Sequence, residues 1–379
     1  MRYLTAGESH GPGLVGILEG MPAGLRVSAA AVNRELCRRQ SGSGRGGRMR
    51  IERDEIEWLA GVRFGETLGS PIAVLIRNRD HLHWGERMAP EGEPTGPAFS
   101  RPRPGHADLA GALKYGRTDA RDILERASAR ETAARVALGA IAKTFLKEFG
   151  VGISSHVVML GGVAAKPLAV LDLEAIEASP VRCADPQAEA AMLRAIEDAR
   201  QGGDTLGGVV EARAEGVPVG LGSHVHWDRR LDGRLGQALL AVPGIKGVEV
   251  GAGFWAAGQP GSLVHDAIAY DPARGYVRET NRAGGSEGGI ANGEPIVVRC
   301  AMKPLSSLGR PLPSVDMATR KPAKAQAERS DVTAVPAAGV VVEALLALVL
   351  ADLLLEKFGG DCMGDVLAAY RRYRERIVP

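Results

Sequence analysis

Aromatic side chains are scarce in this sequence, at 4% of 379 residues. A general nucleic-acid binder needs stacking rings and a basic excess. The second is missing too: 47 Lys and Arg stand against 45 Asp and Glu, for a formal net charge of +2. Cysteine is sparse, and Cys37, Cys183, Cys300 and Cys362 form no CxxC pair, so no disulfide framework is expected. The most apolar stretch, residues 339–358, is interrupted by Glu343 and Asp352. It falls short of the ~20 apolar residues a membrane span needs and reads as a buried helix. The opening MRYLTAGESHGPG lacks a basic region followed by an apolar core, so no secretory signal is expected and the cytoplasm is the expected compartment. No GxxxxGK[ST] loop occurs, and no GxGxxG sits at a strand-to-helix switch.

What is present suits a folded enzyme. Hydrophobic residues make up 45%, and the 50 glycines provide turns and close backbone approaches. Helices are predicted over 29–40, from Asp54 to Ala60, from Ser128 through Phe149, over 187–201 and over 339–358. The second and third rest on capping-box spacing, Asp54 to Glu57 and Ser128 to Glu131. Strands are predicted over 71–78, 152–160, 206–215, 246–251 and 295–302, and a short N-terminal strand can precede GESHGPG. The Pro-rich stretch 89–108 reads as an extended loop. With no composition shift and no repeat, residues 1–379 are read as a single α/β or α+β domain with sheet packed on long helices.

Six clusters carry candidate chemistry. In GESHGPG, small neighbours leave His10 accessible for proton transfer near neutrality; an ordinary turn histidine is the alternative. From Arg34 to Arg53 there are seven arginines against two acids, with glycines at 42, 44, 46 and 47. Guanidinium forks on a pliable backbone suit a compact polyanion, although a solvated basic loop has the same composition. RPRPGHAD sets His106 beside Arg101 and Arg103. In ERASARE, Arg126 and the N–H groups following Ser128 could form an anion site, and a plain helix cap explains Ser128 and Glu131 equally well. AMKPLSSLG presents Lys303, Ser306 and Ser307 in a turn, and ERSDVTAVPAAG sets Arg329 and Asp331 before the apolar helix. His81/His83 and His224/His226 form HxH pairs that would share one face of a strand, but neither has a third ligand at a recognisable spacing, so no metal is expected.

Together, GESHGPGLVGILEGMP at 7–22, the Arg39–Arg45 spacing, RPGHAD at 103–108, ERASARETAARVALGA at 125–140, GDTLGG at 203–208, KGVEVG at 246–251, KPLSS at 303–307 and RSDVTAVPA at 329–337 closely resemble the chorismate synthase family. The resemblance spans essentially the whole chain. It implies a single-domain β-α-β sandwich with antiparallel sheets packed against long helices. The implied reaction converts 5-enolpyruvylshikimate 3-phosphate to chorismate and phosphate, an anti 1,4-elimination that requires reduced FMN (FMNH2) without net redox change. A homotetramer supplied with flavin by a separate reductase is also implied.

Carried over by position, the resemblance makes His10 the acid for the leaving phosphate. It makes His106 the histidine facing the flavin, and Asp331 the aspartate that assists proton removal. Arg39 and Arg45 fall in the anionic pocket, contacting substrate or a nicotinamide phosphate, with substrate favoured. Arg126, Ala127, Ser128, Pro243, Gly244, Gly288, Lys303, Pro304, Leu305, Ser306, Ser307 and Arg329 fall at flavin contacts. Departures from the family pattern are Ala127 for a serine, Leu305 for a threonine, Pro243 at a position more often polar, and R-S-D-V where R-H-D-P is common. An NADPH-dependent flavin reductase and a polyanion-binding module centred on residues 34–53 are the rival readings.

Overall fold

In the computed structural model, residues 1–47, 51–168, 170–273, 275–328 and 331–377 are described. Arg48 and Arg50 of the basic loop, and Arg329, lie outside them.

Two antiparallel sheets enclose a layer of helices. The first contains Arg2–Ala6 (β1), Gly13–Glu19 (β2), Ile56–Ala60 (β3) and Ile72–Arg77 (β4), in the order β1-β2-β4-β3. Period-two alternation puts Ile72, Val74 and Ile76 of β4 on the buried face. The second contains Gly152–Leu160 (β5), Val163–Ala164 (β6), Gly208–Glu215 (β7), Ile245–Val250 (β8) and Ile296–Met302 (β9), in the order β8-β9-β7-β5-β6. Here Ile296, Val298, Cys300 and Met302 alternate inward.

Between the sheets run Ala29–Gln40 (α1), Thr132–Lys147 (α2) and Val335–Phe358 (α3). Helix α2 packs on the first sheet and α3 on the second, and the two helices pack on each other. Their approach depends on Gly139, where a Cβ would lie 2.4 Å from Ala344 Cβ and 2.6 Å from its Cα. Helix α3 starts with Pro336 in its first turn and ends at Gly359, φ 63°. It is long and apolar enough to cross a membrane, yet it lies almost wholly buried inside this fold. The buried-helix reading of 339–358 therefore holds.

At the centre of α3, fully buried Glu343 accepts hydrogen bonds from Arg38 Nη1 at 2.7 Å, Lys143 Nζ at 2.7 Å, Ser155 Oγ at 2.6 Å and Arg182 Nη2 at 3.3 Å. One carboxylate thus ties α1, α2 and β5 to α3. Burial alone would push its pKa up, but Lys143, Arg38 and Arg182 reverse this and bring it down to about 2.

The strand predictions over 71–78, 152–160, 206–215, 246–251 and 295–302 hold to within two residues at each end. Two local readings are corrected. The segment from Asp54 to Ala60 is a strand from Ile56 onward, not a helix, because Ile56 and Trp58 pair with Ile76 and Val74 of β4. Asp54 does not cap a helix; its carboxylate bridges Arg39 and Arg130. The Ser128–Glu131 capping box is only half formed. Ser128 Oγ accepts from Arg130 N, while Glu131 turns to Thr5 and Arg135.

Candidate active site

The loop between β1 and β2 is a tight reversal. Gly7, at φ 111°, has no room for a side chain, since a Cβ there would lie 2.3 Å from Gly13 O. This turn places Ser9 and His10 at the wall of a cavity of about 440 Å³, within the usual range for a small-molecule site. The opposite walls come from Arg103–Ala107, the Ala127–Arg130 turn before α2, Arg39 at the end of α1, Arg45–Gly47, Val242–Gly244, Met302–Ser307 after β9, and the first turns of α3.

Each of the two histidines rests on a buried carboxylate. Glu125, 3% exposed, accepts from the His10 backbone N–H at 2.8 Å, and its two oxygens lie 2.9 and 3.1 Å from His10 Nδ1. Burial would raise the Glu125 pKa, yet the bonds to His10 and the charge of Arg121 bring it below the usual carboxylate range. His106 Nδ1 lies 2.5 Å from Asp108 Oδ1 and 3.1 Å from Arg103 Nη2. A ring nitrogen cannot both donate to the acid and accept from the guanidinium. The shorter contact decides for donation to Asp108, which puts the lone pair of the neutral ring on Nε2. Arg103 grips the same carboxylate through Nε at 2.8 Å and Nη2 at 3.1 Å. Against the upward push of burial, His106 and Arg103 hold Asp108 far below the ordinary aspartate range.

Of the arginines in 34–53, Arg39 and Arg45 reach the cavity, whereas Arg38 pairs with Glu35, Glu177 and Glu343. Arg39, 5% exposed, donates to Asp54, Thr132 Oγ1 and the Ala129 carbonyl. Arg130 donates to Asn78 Oδ1 and Asp54. Arg45 Nη1 lies 2.7 Å from Asp331 Oδ2, and Gly46 N–H donates to the other oxygen of Asp331 at 2.6 Å. Burial lowers the Arg39 pKa to about 10; Asp54 opposes this, and Arg130 and Arg45 add to it.

A further cluster of polar donors follows β9. Lys303 Nζ donates to Ser306 Oγ at 2.9 Å, Ser306 Oγ to the Gly105 carbonyl at 2.8 Å, and Arg103 Nη1 to Ser307 Oγ at 2.7 Å. Burial and nearby Lys246 both lower the Lys303 pKa. Ammonium, guanidinium and hydroxyl donors at one wall suit phosphate oxygens.

The comparisons with known proteins meet this geometry. A family profile described as chorismate synthase matches residues 1–355. This chain belongs to the chorismate synthase family. It is 60% identical to the chorismate synthase of Moorella thermoacetica over 385 residues, covering 100% of both chains. It is 56% identical to that of Symbiobacterium thermophilum over 388 residues, covering 100% of this chain and 99% of the other. A crystal structure of chorismate synthase superposes with a TM-score of 0.80 at 45% identity, covering 99% of this chain and 98% of the other. The enzyme accordingly converts 5-enolpyruvylshikimate 3-phosphate to chorismate and phosphate.

Of the residues named from sequence, His10, His106, Asp331, Arg39, Arg45, Ala127, Ser128, Pro243, Gly244 and Lys303 through Ser307 line the chorismate synthase cavity. Arg126 and Gly288 are not among its lining residues. Arg126 donates to Thr5 O, Thr5 Oγ1 and Gly7 O, and Gly288 sits in the hairpin between Ser286–Glu287 and Ile290–Ala291. The HxH pairs lie on no strand: His81 Nδ1 contacts the His10 carbonyl, and His226 pairs with Asp228. No group of three potential metal ligands occurs among the described residues. Sequence reasoning assigned no role to Glu125, Asp108, Arg130 or Trp84. Asp108 was legible two places after His106; Glu125, Arg130 and Trp84 reach the site only through the fold.

Proposed function

We propose that the enzyme carries out its elimination in this cavity with reduced FMN (FMNH2). His10 serves as the acid for the leaving phosphate, His106 faces the flavin, and Asp331 assists removal of the ring proton. The observation that carries this reading is the pair of histidines, each held by a buried carboxylate, on the wall that also presents Asp331 and the arginine cluster.

The residues present fit FMN. Gly105, at φ 76°, leaves a gap that a Cβ would close to 3.4 Å from Ser306 Oγ and 3.8 Å from Lys303 Nζ. Lys303, Ser306, Ser307 and Ser128 would hold the cofactor phosphate and ribityl oxygens, while Ala127, Pro243, Gly244, Pro304 and Leu305 supply backbone and apolar contact. When bound, reduced FMN supplies transient electron density to the allylic system that loses phosphate. The protein neutralises and protonates. Arg39, Arg45 and Arg130 offset substrate negative charge, with Arg39 fixed in place by Asp54, Thr132 Oγ1 and the Ala129 carbonyl. His10 delivers a proton to the phosphate oxygen, which turns a poor leaving group into a good one. Arg45 and the Gly46 N–H hold Asp331 in place. His106, donating through Nδ1 to Asp108, keeps Nε2 as the acceptor.

The whole chain, residues 1–379, is proposed to act as one catalytic domain; a main core cluster with members from Leu14 to Tyr370, beside a small one of Phe99, Ala120 and Leu124, supports this. We also assign it a homotetrameric state, a separate reductase as flavin source, and the cytoplasm. Exposed Trp227, Phe254, Trp255 and Tyr276 offer apolar surface suited to subunit contact, and the four cysteines are free thiols.

The test is an anaerobic assay with the enolpyruvyl substrate and chemically reduced FMN, following phosphate and diene absorbance. Phosphate release with flavin reduced before and after turnover is expected; steady NADPH oxidation instead would indicate a reductase. His10→Ala is expected to lower turnover roughly 100-fold or more while FMN binding is kept. Equal loss of flavin binding would make His10 structural.

A further inference from the structure

The RDHLHW segment, whose histidine spacing raised a metal pair, packs around His10. Arg79–His83 forms a short 3-10 turn after β4. From it, His81 Nδ1 reaches the His10 carbonyl at 2.9 Å. The Trp84 indole then stacks on the His10 imidazole, with centroids 4.1 Å apart and planes inclined by 28°. Asp80, 1% exposed, brings Oδ2 to 4.0 Å from His10 Nε2. On the ring's other side, Glu125 takes Nδ1. Arg121 closes the assembly, 3.1 Å from Glu125 Oε1 and 4.9 Å from the Trp84 centroid.

We propose that Trp84 and Glu125 are positioning residues for His10, the first fixing the rotation of its ring and the second fixing its tautomer. An imidazole has two freedoms that matter to an acid: rotation about its side-chain torsions, and which nitrogen carries the exchangeable proton. Glu125 removes the second by accepting from Nδ1, so the nitrogen left for proton transfer is Nε2. It also grips the His10 backbone N–H, so ring and main chain are fixed to one carboxylate. Trp84 removes the first, since a ring stacked at 4.1 Å cannot swing without separating the two faces. Arg121 in turn holds both positioning groups. Displacing a proton donor by ~1 Å costs about 100-fold in rate, so the clamp acts on turnover.

This inference rests on the acid role proposed for His10, and its test separates the two. In the anaerobic assay with chemically reduced FMN, Glu125→Gln and Trp84→Leu are each expected to lower kcat about 10-fold or more. Substrate KM and FMN affinity are expected to stay within about twofold, and Trp84→Phe, which keeps a stacking face, to restore most of the rate. In a His10→Ala background neither substitution is expected to lower kcat further, because both act through that ring. Multiplicative losses, or FMN affinity falling in step with kcat, would overturn the proposal. If His10→Ala alone keeps the parent kcat, the acid role fails, and the clamp is then judged without turnover. A stacked imidazole quenches indole emission, so the Trp84 contribution, taken as the difference from Trp84→Phe, is expected to rise in His10→Ala and in Glu125→Gln. Unchanged emission in both would sink the clamp.

Discussion

Replacing Glu343 with Gln keeps the side-chain volume and removes one charge from a site that four donors share. The carboxylate is fully buried between Arg38, Lys143 and Arg182 and accepts from Ser155 as well. Its pKa falls from 4.5 to about 2 in the fold, which at about 1.4 kcal/mol per unit contributes about 3 kcal/mol of stability at neutral pH. Breaking a buried ion pair by removing one partner costs a similar ~3–5 kcal/mol. Because the folded value is depressed, this contribution is fully present above the usual 4.5 and is lost as pH falls toward about 2. Glu343→Gln is therefore expected to lose about 3 kcal/mol in urea unfolding at neutral pH, and the gap from the parent chain is expected to narrow as the medium is acidified through that window. A loss under about 1 kcal/mol, or a gap that does not change with pH, would refute the reasoning. Turnover should fall as well, since Ala334, Ala337, Ala338 and Val341 on the first turns of the same helix line the cavity.

Gly139→Val places a branched side chain where a Cβ alone would lie 2.4 Å from Ala344 Cβ; a loss of about 1–3 kcal/mol is expected in thermal or urea unfolding. Asp108→Asn leaves His106 Nδ1 beside an amide that can donate as well as accept, so the tautomer is no longer fixed. Turnover is expected to drop about 10-fold or more with secondary structure intact by circular dichroism. Lys303→Met removes the ammonium from the turn after β9. FMN affinity, followed by flavin fluorescence, is expected to weaken about 10-fold, and binding at the parent affinity would move the phosphate site elsewhere.

The reach of the sequence differed between its parts. The strands over 152–160 and 295–302 were legible because each is a short run rich in Val and Ile, and 339–358 was legible as a buried helix because it is apolar all round. The segment from Asp54 to Ala60 misled, since capping-box spacing is a local signal and strand pairing with β4 is not. The motifs holding His10, His106, Arg39, Arg45, Lys303 and Asp331 were readable because their glycines, prolines and hydroxyls are contiguous with them, and that pattern was sufficient to indicate the family. Only the tertiary structure decided which carboxylate serves which group. Glu125 is 115 residues from His10 in the chain, and Asp331 is 285 residues from the Gly46 N–H it accepts from. Such pairings cost no more than the folding that buries α2 and α3 between the sheets, and no local spacing records them. The sequence by itself determined the chemical groups and the elements that carry them; the packed helix layer determined which side chains meet.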